Sequence, residues 1–430
     1  VSYDDPAAGE AIHRLVEMLA PVPRSLTGDG VRETLRVIGE HVPLEVREVA
    51  TGTRLFDWTA PLEWNLREAW IHGPDGASVV DVRDSPLHVV GYSTPVRMRI
   101  GLDELRPHLH SIPDHPDWIP YRTSYYTETW GFCLQHERLE RLVEGEYEVC
   151  IDATLAPGSL TYGECVLTGT SGRDVVVSAH VCHPAMANDN LSGVALATHL
   201  AKALADRARR HTYRFVFAPG TIGALAWLDD HRDVLDRIEA GLVLTCVGDR
   251  GSPTYKRSRR ATSLVDRAVE HTLAHRPSPS SIEPFSPVGY DERQYCSPGF
   301  DLPVGCLMRT PWGRFPEYHT SADDTSFVTP EALADSFAVA LATIDVLEGN
   351  ETLLNLHPYG EPQLGRRGLY SPHGGRREHD RFEEALLWVL NLCDGAHDLL
   401  GVAERSGLPF ATVRDAADAL VATGLLGPVS

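Results

Sequence analysis

Residues Val175–Gly193 read VVVSAHVCHPAMANDNLSG. The β-branched apolar run Val175, Val176 and Val177 is the pattern of a buried strand. It gives way to a polar cluster of Ser178, His180, Cys182, His183, Asn188, Asp189 and Asn190. An amphipathic run, LSGVALATHLAKALADRA, follows, and Ser192 or Asn190 stands where a helix cap belongs. Imidazoles, a thiol and a carboxylate between the carboxyl end of a strand and a helix N-terminus occupy the place where open α/β sheets bind ligands. A turn with a capping Asp and half-buried histidines satisfies the same letters, and the stretch alone leaves both readings open.

Outward from this stretch, apolar runs at 174–179, 213–218, 241–247 and 303–309 alternate with helical patterns at 191–208, 221–239, 261–275 and 330–348. Such alternation predicts a mostly parallel central sheet flanked by helices. Two more amphipathic helices are expected at 8–20 and 31–41, joined by the turn-rich PVPRSLTGDG. Between about Val46 and Val166, short alternating runs punctuated by Pro, Gly and Asp predict a β-rich unit. Its middle, IPYRTSYYTETWGFC, is crowded with aromatics that suit either a core or a wall over a site. Residues 359–379 are rich in Gly, Pro and Arg and read as a linker. Helical segments at 381–393, 397–406 and 409–423 follow, the last two joined by SGLP as in a helix-turn-helix.

The composition excludes several classes of function. A net charge of −21 opposes binding to nucleic-acid backbones or anionic membranes. The candidate recognition helix, PFATVRDAADALVAT, sets Arg414 against Asp415 and Asp418, so neither nucleic acid nor membrane is an expected partner. No apolar run approaches the ~20 residues that span a bilayer, and VSYDDPAAGEAIHRL lacks the pattern of a signal peptide. A cytoplasmic protein is expected. Its eight cysteines form no CxxC pair and read mostly as buried free thiols. The helical C-terminal segment suits self-association into a homo-oligomer.

Four predicted strand ends carry polar clusters. They are His180, Cys182, His183 and Asp189; Pro219-Gly220-Thr221-Ile222-Gly223; Val247-Gly248-Asp249-Arg250; and Glu317-Tyr318-His319-Thr320-Ser321-Ala322-Asp323-Asp324. A His/Asp/Asp/His set brought by separate strand ends suits a zinc site with an open position, because nitrogen and oxygen ligands hold the cation and leave room for an activated water.

With HVCHPAMANDNLSG (180–193) and EYHTSADD (317–324) in view, the chain resembles the co-catalytic zinc aminopeptidases of the bacterial leucyl aminopeptidase type. It resembles more closely a bacterial aminopeptidase-like family with an inserted β-rich domain and a C-terminal winged-helix module. RSLTGDGVRETL (24–35), DWTAPLEWN (57–65), PYRTSYYTETWGFC (120–133), CVGDRG (246–251), YKRSRR (255–260) and GYDERQYCSPG (289–299) extend the likeness over almost the whole chain.

The resemblance implies an aminopeptidase-like domain of residues 1–50 and 165–358, a β-rich insert at 51–164, the linker at 359–379 and a winged-helix-like unit at 380–430. It implies that His180 and Asp249 bind one zinc, that Asp189 lies between two metal positions and that His319 belongs to the second. At the second strand end it implies a general-base Glu, where this chain has Gly220, and in the aminopeptidases a ligand Glu, where this chain has Thr221. The loss of the second carboxylate points to one zinc per chain rather than two. The loss of the first removes assistance worth roughly 10²–10⁴ in rate. Glu292, Asp291, His183 and Glu317 are candidate substitutes. Tyr125, Tyr126, Trp130, Tyr290 and Arg309 are candidates for contact with substrate. The expected activity is zinc-dependent hydrolysis of an amide in a small peptide or peptide-like metabolite. The rival is a metal-binding relative that recognises a ligand without turnover.

Overall fold

The computed structural model describes residues 6–370 and 381–429, and these fall in two compact units, one within 1–261 and 281–338 and the other within 262–280 and 339–430. Part of the expected linker, 371–379, lies outside the described residues.

The first unit is built on an eight-stranded sheet of β1 (Glu45–Ala50), β2 (Ser159–Leu167), β3 (Asp174–His180), β4 (Thr212–Ala218), β5 (Ile238–Leu244), β6 (Thr254–Lys256), β7 (Ser281–Glu283) and β8 (Val304–Met308). Its spatial order is β1-β2-β4-β3-β5-β8-β6-β7. The run β4-β3-β5-β8 is parallel. The joins β1-β2, β2-β4 and β8-β6 are antiparallel, so the sheet is mixed, with a parallel centre. Every residue of β3 and β8 is buried, as strands covered on both faces require.

The helix Gly193–Ala205 returns from β3 across the sheet. Its first residue is Gly because a Cβ there would run into the Leu244 carbonyl at the end of β5. The helix Ile222–Asp230 follows β4. A buried ion network locks it: Glu164 on β2 meets Arg214 of β4 at 3.0 Å, Trp227 Nε1 at 3.0 Å and His231 at 3.0 Å.

Between β1 and β2 the chain forms a separate antiparallel sheet in the order Ser78–Asp81, Glu63–His72, Glu146–Ala156, Val96–Gly101. These strands fall in the stretch expected as a β-rich insert. The strand β2 begins within the stretch expected as the insert and pairs in the main sheet.

In the second unit the strands Thr352–Asn355, Asp394–Asp398 and Leu426–Pro428 pair antiparallel beside the helices Arg381–Leu392, Leu399–Ser406 and Phe410–Ala422. The strand Thr352–Asn355, upstream of residue 380, lies between the other two in this small sheet. Asp398 caps the helix Leu399–Ser406 through the Gly401 amide and holds Arg267 of the helix Leu264–Ala274. Arg414 is consumed by Glu351 at 2.7 Å and Asp418 at 2.9 Å. Among the described residues, no helix is long and apolar enough to cross a membrane. All eight cysteines are free and buried.

Candidate metal centre

The carboxyl end of β3 carries the centre. His180 Nε2 lies 2.9 Å from Asp189 Oδ1, and His183 Nδ1 lies 3.4 Å from Asp189 Oδ2. One ligand atom from each of these three residues falls within 4.8 Å of the others, an arrangement able to hold a metal ion. His319 Nε2 stands 3.0 Å from Asp189 Oδ2, so three imidazoles surround one carboxylate. Asp189 is wholly buried, whereas the His319 side chain is 34% exposed and marks the open side.

Loop hydrogen bonds place these groups. Asp323 accepts from the amides of Asn188 at 2.6 Å and Asp189 at 2.9 Å, which fixes the backbone that carries the central carboxylate. Asn190 Nδ2 donates to the Leu244 carbonyl at 3.0 Å and ties the loop to β5. His319 adopts a φ of 58°, an uncommon left-handed setting of the kind that gathers at functional sites. The insert braces it. The Tyr121 amide donates to the His319 carbonyl at 2.8 Å, and Ile119 and Ser321 exchange two hydrogen bonds of 2.9 Å.

Aromatic rings fix the imidazoles. Tyr290 stacks on His180 at 4.6 Å, Tyr318 stacks on His319 at 4.0 Å, and their hydroxyls meet at 2.8 Å. Tyr121 presents its ring edge-on to His183 and His319.

Burial lowers His180 and His319, leaving each neutral with a lone pair to offer. Burial opposes ionisation of Asp189, yet His183, His180 and His319 together hold it well below the usual carboxylate range. Burial would also lower His183, but its contacts with Cys182 and Asp189 raise it well above its ordinary value. Asp291 behaves differently. Burial, with Glu292 alongside, pushes it up to about 8, and neither of its oxygens has a hydrogen-bond partner among the described residues.

The sequence candidates divide. His180, Asp189 and His319 come together. Asp249 stands apart: its Oδ1 accepts from Gly251 N at 2.7 Å and Thr310 Oγ1 at 2.6 Å, and its Oδ2 from Asn188 Nδ2 and Thr310 N, each at 3.1 Å. Four donors meet that carboxylate, and the residue grouped with His180 and Asp189 is His183. Thr221 accepts from Gln294 Nε2 at 2.9 Å.

Glu292 is held by Lys256 at 2.8 Å in a buried ion pair. Glu317 is half-buried, and its carbonyl accepts from the Thr320 amide and hydroxyl. Arg309, expected to meet substrate, is committed to Asp335 at 2.7 Å and to the Ala332 carbonyl. Tyr290 lies on the centre, and Tyr125 reaches it through the Tyr121 hydroxyl at 3.1 Å. Tyr126 is exposed beside Trp58, and Trp130 stacks on His108 within the insert. Tyr121 was missed as a site residue. The aromatic crowding of 120–133 was its signal, and only the pairing of 119–121 with 319–321 brings it over the histidines.

Residues 13–350 match the family described as "Domain of unknown function (DUF4910)", and residues 351–428 match the winged helix-turn-helix family. A Clostridium acetobutylicum protein named "Putative polysaccharide biosynthesis protein with aminopeptidase-like domain" is 47% identical over 418 residues, covering 97% of this chain and 96% of that one. The crystal structure of a "putative peptidase" from Clostridium acetobutylicum is similar at a TM-score of 0.94 and 46% identity, covering 99% of this chain and 97% of that one. BSAP, a zinc aminopeptidase from Bacillus subtilis, shares the fold at a TM-score of 0.56 and 13% identity, covering 78% of this chain and 94% of that one. The chain has an aminopeptidase-like fold followed by a winged-helix domain, and it belongs to the DUF4910 family.

Proposed function

We propose that the chain is a zinc-dependent hydrolase that cleaves an amide bond in a small peptide or peptide-like metabolite. The carrying observation is the convergence of His180, His183 and Asp189 at the end of β3, with His319 on the same carboxylate. Two neutral or neutralisable imidazoles and a carboxylate are the nitrogen and oxygen donors that zinc takes, and three protein ligands are the usual number for a catalytic ion. His180, His183 and Asp189 would hold it, and His319 would approach from the open side. A zinc ion there supplies a Lewis acid that polarises a carbonyl and brings the pKa of water down to about 7.

The protein's own groups orient and enclose. Tyr290 and Tyr318 keep two imidazoles facing Asp189 by stacking on their rings. Tyr121, from the insert, covers the same side and favours a small substrate over a folded protein. The name of the Clostridium acetobutylicum relative links that protein to polysaccharide biosynthesis, so N-acyl amino sugars join aminoacyl p-nitroanilides as assay probes. The zinc-loaded chain should hydrolyse at least one probe, lose the activity to a chelator and regain it with zinc.

Gly220 favours a second reading, a metal-binding relative that recognises a ligand without turnover. In that case the natural chain is inert on every probe, and Gly220→Glu gains activity.

A further inference from the structure

We infer that Asp291 supplies the carboxyl that moves the proton during amide hydrolysis, standing where Gly220 leaves room for it. The inference rests on the hydrolase reading above and names a residue that reading leaves without a role. A Cβ placed on Gly220 would stand 3.1 Å from His180 Cβ and 3.6 Å from Asp291 Oδ1. A glutamate's carboxylate oxygens lie about 3 Å from its own Cβ, two C–C bonds and one C–O bond away. Asp291 therefore carries its carboxyl within the reach of one borne at position 220, beside the first histidine of the centre.

Ordinary structural roles for Asp291 are absent. It stands at the N-cap of the short helix Glu292–Tyr295 and makes no side-chain cap bond. It is wholly buried, and neither oxygen has a hydrogen-bond partner among the described residues. A carboxyl buried without a hydrogen bond costs stability. Its neighbour Glu292 is taken by Lys256. The segment is held in register on the strand ends, Gln294 bonding Thr221 and Tyr295 Oη bonding Ser178 Oγ at 3.2 Å. One short segment thus places an amide side chain on Thr221 and a free carboxyl opposite Gly220.

In the reaction, a water oxygen forms a bond to the amide carbonyl carbon while its proton passes to the Asp291 carboxylate. As the C–N bond breaks, the same proton passes to the leaving amine. Amide and water become carboxylic acid and amine, and Asp291 ends as it began.

The test compares the zinc-loaded wild type with Asp291→Asn and Asp291→Asn/Gly220→Glu, on the probe the wild type turns over fastest. Asp291→Asn should keep its zinc content and show an unchanged or higher Tm, with kcat lowered roughly 10²–10⁴-fold and KM within about threefold. The double variant should recover at least about tenfold. A kcat within about threefold of wild type in Asp291→Asn overturns the inference and leaves the hydrolase reading standing. Loss of zinc or a lower Tm in that variant overturns it in favour of a structural role. A wild type inert on every probe defeats the hydrolase reading, and this inference with it.

Discussion

Glu164 offers a quantitative test of how the helix beginning beside Gly220 and Thr221 is held. The carboxylate is 2% exposed and lies between Arg214, Trp227 Nε1 and His231. Burial alone would raise its pKa, but His231, Trp227 and Arg214 bring it from 4.5 to about 2. At ~1.4 kcal/mol per pKa unit, that gap corresponds to about 3 kcal/mol of linked stability. Because the folded value is the lower one, the contribution is complete above pH 4.5 and drains away as pH falls toward 2. By pH 3 about 2 kcal/mol of it is gone.

Glu164→Gln removes the anion and leaves Arg214 with Asp174 as its remaining carboxylate in this network. At pH 7 the variant should be less stable by about 3 kcal/mol, the cost of breaking a buried ionic arrangement. Pulse proteolysis in a urea gradient, run on both proteins at pH 7 and pH 3, measures the difference. The gap between them should shrink by about 2 kcal/mol at the lower pH. A gap that stays constant would refute the network as the cause.

Two further outcomes follow from the centre and from the C-terminal unit. Zinc measured after extensive dialysis should fall near one equivalent per chain and collapse in Asp189→Ala, because a single carboxylate joins the three imidazoles; two equivalents surviving dialysis would show a second complete ligand set. The helix Phe410–Ala422 should give no salt-sensitive duplex DNA binding in anisotropy at physiological salt, because Arg414 is already neutralised by Glu351 and Asp418.

Much of this protein was legible in its letters. The four parallel strands and their helices declare themselves through apolar runs and amphipathic periods, which are local properties of the chain. His180 and Asp189 are nine residues apart in one strand-to-helix turn, so their meeting needed only that turn to form. His319, 130 residues from Asp189, was placed by the resemblance of its motif.

Other assignments waited for the tertiary structure. The antiparallel joins at β1-β2-β4 and β8-β6 depend on partners that no single stretch reveals. Asp249 reads as a ligand in sequence, and only the fold brings Thr310, 61 residues away, and Asn188 to donate to its oxygens. Arg309 looks like an anion site until Asp335 takes it. Asp291 and Glu292 are adjacent carboxylates at one loop, yet only the fold gives one of them Lys256 and leaves the other open beside Gly220. Sequence determines which atoms are able to bind a metal or a proton. Packing between distant segments decides which of their lone pairs remain free, because a buried polar group is satisfied by whatever partner the fold brings within about 3 Å.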